Sequence, residues 1–322
     1  MEMLILKCFL SPGDIVMLTA AVRDLHRCYP GLYATDVRTS CPALWENNPH
    51  LTALDENDPE VRVIKCHYPL IHISNQTPVH FLYGFIEHLN DRLGLGIRPT
   101  ELKGDIHLSE DEKTLPSPVV EHLGEEQPYW IVAAGGKYDY TIKWWSRRRY
   151  QEVVDALRGR VFFVQVGEMG HFHPPLRHVL DLRGKTSMRE LIRLVYHADG
   201  VLCPVTLLMH LASAVPVRPP ARTSRGCVVI AGGREPPHWE AYPTHRFLHT
   251  VGTLPCCAHG GCWRSRTVAL GDGQPHDEPH RLCLDVVRGL PRCMDKIASS
   301  LVIENIRLSL PHESSIARRP HE

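Results

Sequence analysis

Apolar residues along this chain alternate between two rhythms. A short apolar run from Met3 to Leu10 predicts a buried strand, Ser11-Pro12-Gly13-Asp14 predicts a turn, and Ile15, Leu18, Ala21, Val22 and Leu25 then recur at helical spacing as far as Cys28. Strand-like runs return at Leu32 to Val37 and at Val61 to Cys66. Thr77-Pro78 predicts a helix start, an N-cap with proline in the first turn, and Phe81, Phe85 and Leu89 carry that helix to Gly94. A polar, proline-containing stretch between Arg98 and Gln127 reads as a connection. Beyond it the alternation resumes. Strands are expected at Tyr129 to Ala134, Val161 to Val166, Gly200 to Cys203 and Cys227 to Ala231. Helices are expected at Tyr150 to Leu157, after the capping box Ser187-Met-Arg-Glu190, and at Thr206 to Ala214. Repeated strand-helix units imply parallel sheets covered by helices, so the fold class is α/β with two Rossmann-like domains. The expected divisions are 1–125, 126–250, a Cys-rich segment at 251–298 and a tail at 299–322, polar and frayed from Pro311 onward.

A chain of 322 residues can bury a core in both domains. Lys+Arg and Asp+Glu both number 36, and this zero formal charge disfavours nucleic acid as a partner, because phosphate contacts call for a basic excess. Hydrophobic residues at 43% and charged residues at 22% exclude a disordered chain. No apolar run has the length of a membrane span, and Glu2 and Lys7 interrupt the opening stretch, so neither a transmembrane helix nor a signal peptide is expected. The 11 cysteines, an odd total with no secretory signal, point to a reducing, cytoplasmic setting.

Two features carry candidate chemistry. Asp14 lies where the first strand hands over to the first helix, the edge at which open α/β sheets bind ligands. It is either the helix N-cap or a general base facing the cleft. Five cysteines, Cys256, Cys257, Cys262, Cys283 and Cys293, crowd into the C-terminal region, with Gly260-Gly261 allowing a tight turn beside Cys262. Cys257, Cys262, Cys283 and Cys293 make a candidate tetrahedral Cys₄ site, with Cys256 competing for the first place and spacing unable to choose iron over zinc. Three further features have bland readings. Gly232-Gly-Arg-Glu-Pro-Pro-His-Trp239 reads as a turn, His210 as a packed core histidine, and Lys143, followed by Arg147 to Arg149, as either a solvated base or an anion contact.

The run Leu10 to Leu25 with its Gly13-Asp14 pair resembles the opening of glycosyltransferase family 9, the ADP-heptose heptosyltransferases. Asp181 to Leu191, Ala198 to Leu202 and Met209-His210-Leu211-Ala212 are similar to that family's nucleotide-domain signature, and Lys143-Trp144 to its Lys-x-Trp segment. The chain departs from the lipopolysaccharide enzymes at Pro204 to His210, where their Asp-Ser/Thr-Gly is missing. The resemblance implies a GT-B fold and inverting transfer of heptose from ADP-heptose to a hydroxyl. In that reading Asp14 is the base, Lys143, Thr206 and Thr186 contact the donor diphosphate, and no catalytic metal is needed. Leu254 to Trp263, with Cys283 and Leu290 to Asp295, looks like the cysteine iron finger of the autotransporter heptosyltransferases. That likeness implies a structural iron, with zinc an alternative, at Cys257, Cys262, Cys283 and Cys293, and a protein Ser/Thr acceptor; a homo-oligomer is compatible with it. The competing expectations are a family 9 transferase with another nucleotide sugar and a glycan or small-molecule acceptor, or a catalytically silent metal-stabilised scaffold.

Overall fold

The computed structural model describes residues 1–219 and 224–310. β1 (Glu2–Cys8) feeds α1 (Pro12–Cys28), and β2 (Tyr33–Thr39) and β3 (Val61–Lys65) flank β1 in a parallel sheet of order β2-β1-β3. α1 starts earlier than its apolar periodicity suggests, because Ser11 takes the N-cap and Pro12 the first helical position, where its missing N–H costs nothing. α2 (Phe81–Leu93) starts later than Thr77-Pro78. The Val79 N–H is taken by the Thr77 carbonyl in a tight turn, and His80 becomes the N-cap, its Nδ1 accepting the Leu82 N–H at 3.2 Å. The connection to the second sheet is more structured than its polarity implies. It holds α3 (Glu110–Thr114) and α4 (Pro118–Leu123) and buries Ile106, Leu108 and Val119.

The second sheet is wholly parallel, built from β4 (Tyr129–Ala133), β5 (Phe162–Val166), β6 (Leu180–Asp181), β7 (Gly200–Pro204), β8 (Gly226–Gly232) and β9 (His245–His249) in the order β6-β5-β4-β7-β8-β9. α5 (Arg147–Ala156), α6 (Met188–His197), α7 (Leu207–Ala214) and the short α8 (Pro237–Glu240) lie between these strands in sequence. β4 and β7, fully buried at every position, read in the sequence as unbroken apolar runs, as strands covered on both faces do. α1 packs between α2 and α7, so one apolar core runs continuously from the first sheet into the second.

Beyond β9 the chain runs through single turns to the two-residue antiparallel pair β10 (Val286–Val287) and β11 (Leu290–Pro291), and then α9 (Arg292–Asp295). α10 (Ser299–Arg307) occupies the start of the segment expected as a tail. Its Val302 and Ile306 are fully buried in the cluster that also holds Val153 of α5 and Val228 of β8, which gives this stretch a packing role its short length concealed. The polar run expected from Pro311 lies outside the described residues. Among the described residues, no helix is long and apolar enough to cross a membrane.

Candidate active site

Chain order takes β5 and β6 to one side of β4 and β7, β8 and β9 to the other, so β4 and β7 mark the point where strand order reverses and their C-terminal ends open a crevice. A cavity of about 930 Å³ fills it and extends to the first turn of α1. Asp14, Lys143, Thr186 and Thr206 all line this one cavity; the finger cysteines do not.

Asp14 stands at the third helical position of α1, not at the cap. Its carboxylate accepts the Ser11 N–H at 2.9 Å, the returning half of a capping box, and also accepts a hydrogen bond from the Tyr68 hydroxyl. Burial pushes its pKa up to about 6, against the lowering influence of the Ser11 amide, Lys143, Tyr68 and Lys137. A carboxylate half-charged near pH 6 is suited to accepting a proton at neutral pH.

Lys143 is brought in by the segment after β4. Gly135 there has φ 111°, and a Cβ on it would lie 1.9 Å from the Phe172 carbonyl oxygen, so only glycine permits the chain to cross so closely. A 3₁₀ stretch, Tyr138–Lys143, then places the Lys143 ammonium 2.8 Å from Glu235 Oε1. Thr206 is the N-cap of α7, but its hydroxyl makes no capping bond and is buried without a partner among the described residues. Thr186 precedes Ser187, the N-cap of α6, whose side chain accepts the Glu190 N–H at 3.2 Å. Two helix N-termini therefore face the cavity, each a place where backbone donors favour an anion. His210 is packed as expected, its Nδ1 2.7 Å from the Tyr242 hydroxyl, and burial lowers its pKa to about 3, so the ring is neutral. Its other edge lines the cavity and touches α1, where a Cβ on Gly13 would meet it at 3.0 Å.

The loop read as a turn after β8 proves to be a wall of the cavity. Arg234, Glu235 and Glu240 all line it, and Glu235, fully buried, pairs with both Arg234 and Lys143. Burial works against its charge, but these two cations outweigh that and hold its pKa below the ordinary value. The available signal was position: Gly232-Gly233 ends a strand at the ligand-binding edge of the sheet. Trp239 lines the cavity as well, from within the core, stacked on Phe81 with ring centroids 5.3 Å apart.

The finger cysteines share a neighbourhood. Cys257 and Cys293 both lie against Gly233, where a Cβ would meet Cys257 Sγ at 3.1 Å and Cys293 Cβ at 3.3 Å. Cys256 hydrogen bonds with Cys257 and interacts electrostatically with Cys283, while Cys262 interacts with Cys293 and Cys256. The donor chemistry therefore fits a thiophilic metal. Among the described residues no group of three or more His, Cys, Asp or Glu is found placed to hold a metal ion, at Cys257, Cys262, Cys283 and Cys293 or elsewhere.

Solved structures share this architecture over 96% of the chain. They include a glycosyl transferase family 9 from Veillonella parvula (12% identity, 97% of that chain, TM-score 0.63) and the ADP-heptose lps heptosyltransferase II of E. coli (14%, 98%, 0.60). The iron-containing dodecameric glycosyltransferase TibC of enterotoxigenic E. coli also matches (15%, 76%, 0.59). No curated sequence shows significant similarity to the chain. Two parallel α/β units meeting over a ligand-sized cleft, in this structural company, define a GT-B-like fold. The family model for glycosyltransferase family 9 (heptosyltransferase) matches residues 86–219, from α2 through α7.

Proposed function

We propose that this protein is an inverting transferase that moves a heptose from ADP-heptose to a hydroxyl group, of the kind presented by a protein serine or threonine. The observation that carries this reading is one cavity with a carboxylate near neutral pKa on the α1 side and Lys143 with the N-termini of α6 and α7 on the other. Asp14 takes the acceptor proton as the oxygen attacks the anomeric carbon; the bond from that carbon to the diphosphate oxygen breaks, and ADP leaves with the electron pair. A single displacement inverts the configuration. Lys143, Thr206 and Thr186 offset the charge that grows on the diphosphate. The donor assignment draws support from a TibC structure that holds ADP-D-β-D-heptose. We assign residues 1–125 to the acceptor side and 126–250 to the donor side. Cys257, Cys262, Cys283 and Cys293 would hold a structural iron or zinc, whose contribution is to tie the finger together. Every cysteine among the described residues is free, in keeping with a reducing cytoplasm.

The test is ADP release and product analysis with ADP-heptose and candidate hydroxyl acceptors, alongside calorimetric titration of ADP and ADP-heptose. Release coupled to an inverted glycoside supports the reading, whereas a folded protein that binds neither nucleotide is a scaffold. Lys143→Ala is expected to weaken ADP binding and to lower kcat/KM by roughly 10²-fold, as losses of one pre-placed charge partner do. Unchanged ADP affinity and turnover would leave Lys143 as nothing more than a counter-ion of Glu235.

A further inference from the structure

The mechanism above employs Asp14 and leaves Glu235 occupied by two cations, yet the cavity holds another buried acid. Glu240, the last residue of α8, is 6% exposed, and its Oε2 has no hydrogen-bond partner among the described residues. The ring nitrogen nearest to it, His210 Nε2, is 3.7 Å away, beyond hydrogen-bond distance, and belongs to a neutral imidazole. The charged and titratable groups around Glu240 include Glu235 and Arg234 after β8, Lys143 after β4, Asp14 on α1, His210 on α7 and the Tyr242 hydroxyl after α8, with the Tyr68 hydroxyl near both Asp14 and Glu240 and the His80 side chain against the Glu240 backbone. Of these, the cations Lys143 and Arg234 are both engaged by Glu235. An orphaned buried polar atom at the wall of a ligand cavity calls for a ligand group to satisfy it.

We propose that Glu240 is a specificity-determining residue that recognises the sugar of the donor by hydrogen bonding one of its hydroxyl groups. The inference rests on the glycosyl-transfer reading. Burial, followed by repulsion from Glu235, holds the Glu240 carboxyl above the ordinary carboxylate range, so at neutral pH its protonated form carries both an O–H donor and an acceptor oxygen. That pairing matches a sugar hydroxyl, which also donates and accepts. It does not match a diphosphate, whose oxygens only accept and whose cationic partners stand at Lys143 and Arg234. A site built around a hydroxyl discriminates strongly against its absence, because the buried carboxyl is then left unpaired.

The experiment titrates ADP and ADP-heptose into wild type, Glu240→Leu and Glu240→Gln by calorimetry. Glu240→Leu is expected to lose about tenfold or more of its ADP-heptose affinity while ADP affinity stays within about twofold, and Glu240→Gln, which keeps a donor and an acceptor, recovers most of the loss. Parallel loss of both affinities in Glu240→Leu overturns the assignment and leaves the transferase reading intact. A wild-type protein that gains nothing from the heptose relative to ADP overturns both. Should Glu240→Leu fail to fold, infrared difference spectra decide. The protonated-carboxyl C=O band that is missing in Glu240→Gln shifts in wild type on addition of ADP-heptose and not of ADP, and a band indifferent to both overturns the proposal.

Discussion

Asp14→Asn should remove most of the turnover and, at neutral pH, make the protein more stable. Loss of a general base costs about 10²–10⁴ in rate, and an amide cannot take the acceptor proton. The same substitution keeps an oxygen in place to accept the Ser11 N–H, so the capping box and α1 survive. The stability gain follows from linkage. Asp14 has its pKa raised from 3.8 to about 6 in the folded state, so the protonated carboxyl favours folding, fully below about pH 4, and that contribution is lost as pH rises through 6. At pH 7.5 the native state carries a buried charge whose cost is roughly 3 kcal/mol as an upper figure, lowered by whatever water the open side of the cavity supplies. The melting temperature of Asp14→Asn should therefore exceed that of wild type above pH 6 and converge with it below pH 4, while wild-type kcat/KM rises through a pKa near 6. Transfer at the wild-type rate would reduce Asp14 to a capping residue. A variant less stable at every pH would place its value in the capping box alone.

Much of this fold is legible in one sequence because its strands are buried on both faces. Unbroken apolar runs such as Tyr129 to Ala133 and Gly200 to Pro204 have no other good reading between turn signals. Capping chemistry is equally local, and Ser187 with Glu190 marks the start of α6 to the residue. What escapes is whatever depends on partners distant in sequence. Thr77-Pro78 satisfies the local rule for a helix start, yet a turn closed by the Thr77 carbonyl intervenes. Nothing local says that α10 has a hydrophobic bed waiting between α5 and β8. The connection at 98–127 looks polar but is held by Arg189 of α6, which reaches back to Glu112 at 2.6 Å.

The candidate site divides along the same line. Asp14, Lys143, Thr186 and Thr206 sit at strand ends and helix starts, where position in an alternating pattern already argues for function, and the fold brings all four to one cavity. Arg234, Glu235 and Glu240 lie in a stretch rich in glycine and proline whose composition fits an ordinary turn, and their role emerges only when β8 is seen beside β7. The pairing of Lys143 with Glu235 spans 92 positions and has no sequence signature.

The purified protein should carry about one tightly held iron or zinc per chain, on Cys257, Cys262, Cys283 and Cys293. Residues 251–298 contain little regular structure, and their buried side chains include three of those cysteines, Met294 and Ile297. Much of what orders them is polar: Arg266, without exposed side-chain surface, reaches Asp139 and Asp277 at 2.6 Å and Asp272 at 2.7 Å. With so small an apolar core, thiolate ligation should supply much of the segment's folding free energy, as in small metal-dependent modules. The finger also reaches the site. The Ser265 carbonyl accepts the Ile142 N–H at 3.1 Å and the Thr267 N–H donates to the Thr141 hydroxyl at 2.9 Å, next to Lys143, while Trp263 and Arg281 line the cavity. Gly261 is clasped by Asn75 of the first domain, which donates to its carbonyl at 2.9 Å and accepts its N–H at 2.8 Å. Cys262→Ser and Cys283→Ser should therefore lose the metal, open the segment to protease and lower activity through misplacement of Lys143, with the two sheets still folded. Cys256, exposed where Cys257 is buried, should tolerate serine; damage there instead would make Cys256 the ligand. Elemental analysis that finds a metal-free protein, fully active and protease-resistant, would remove the site.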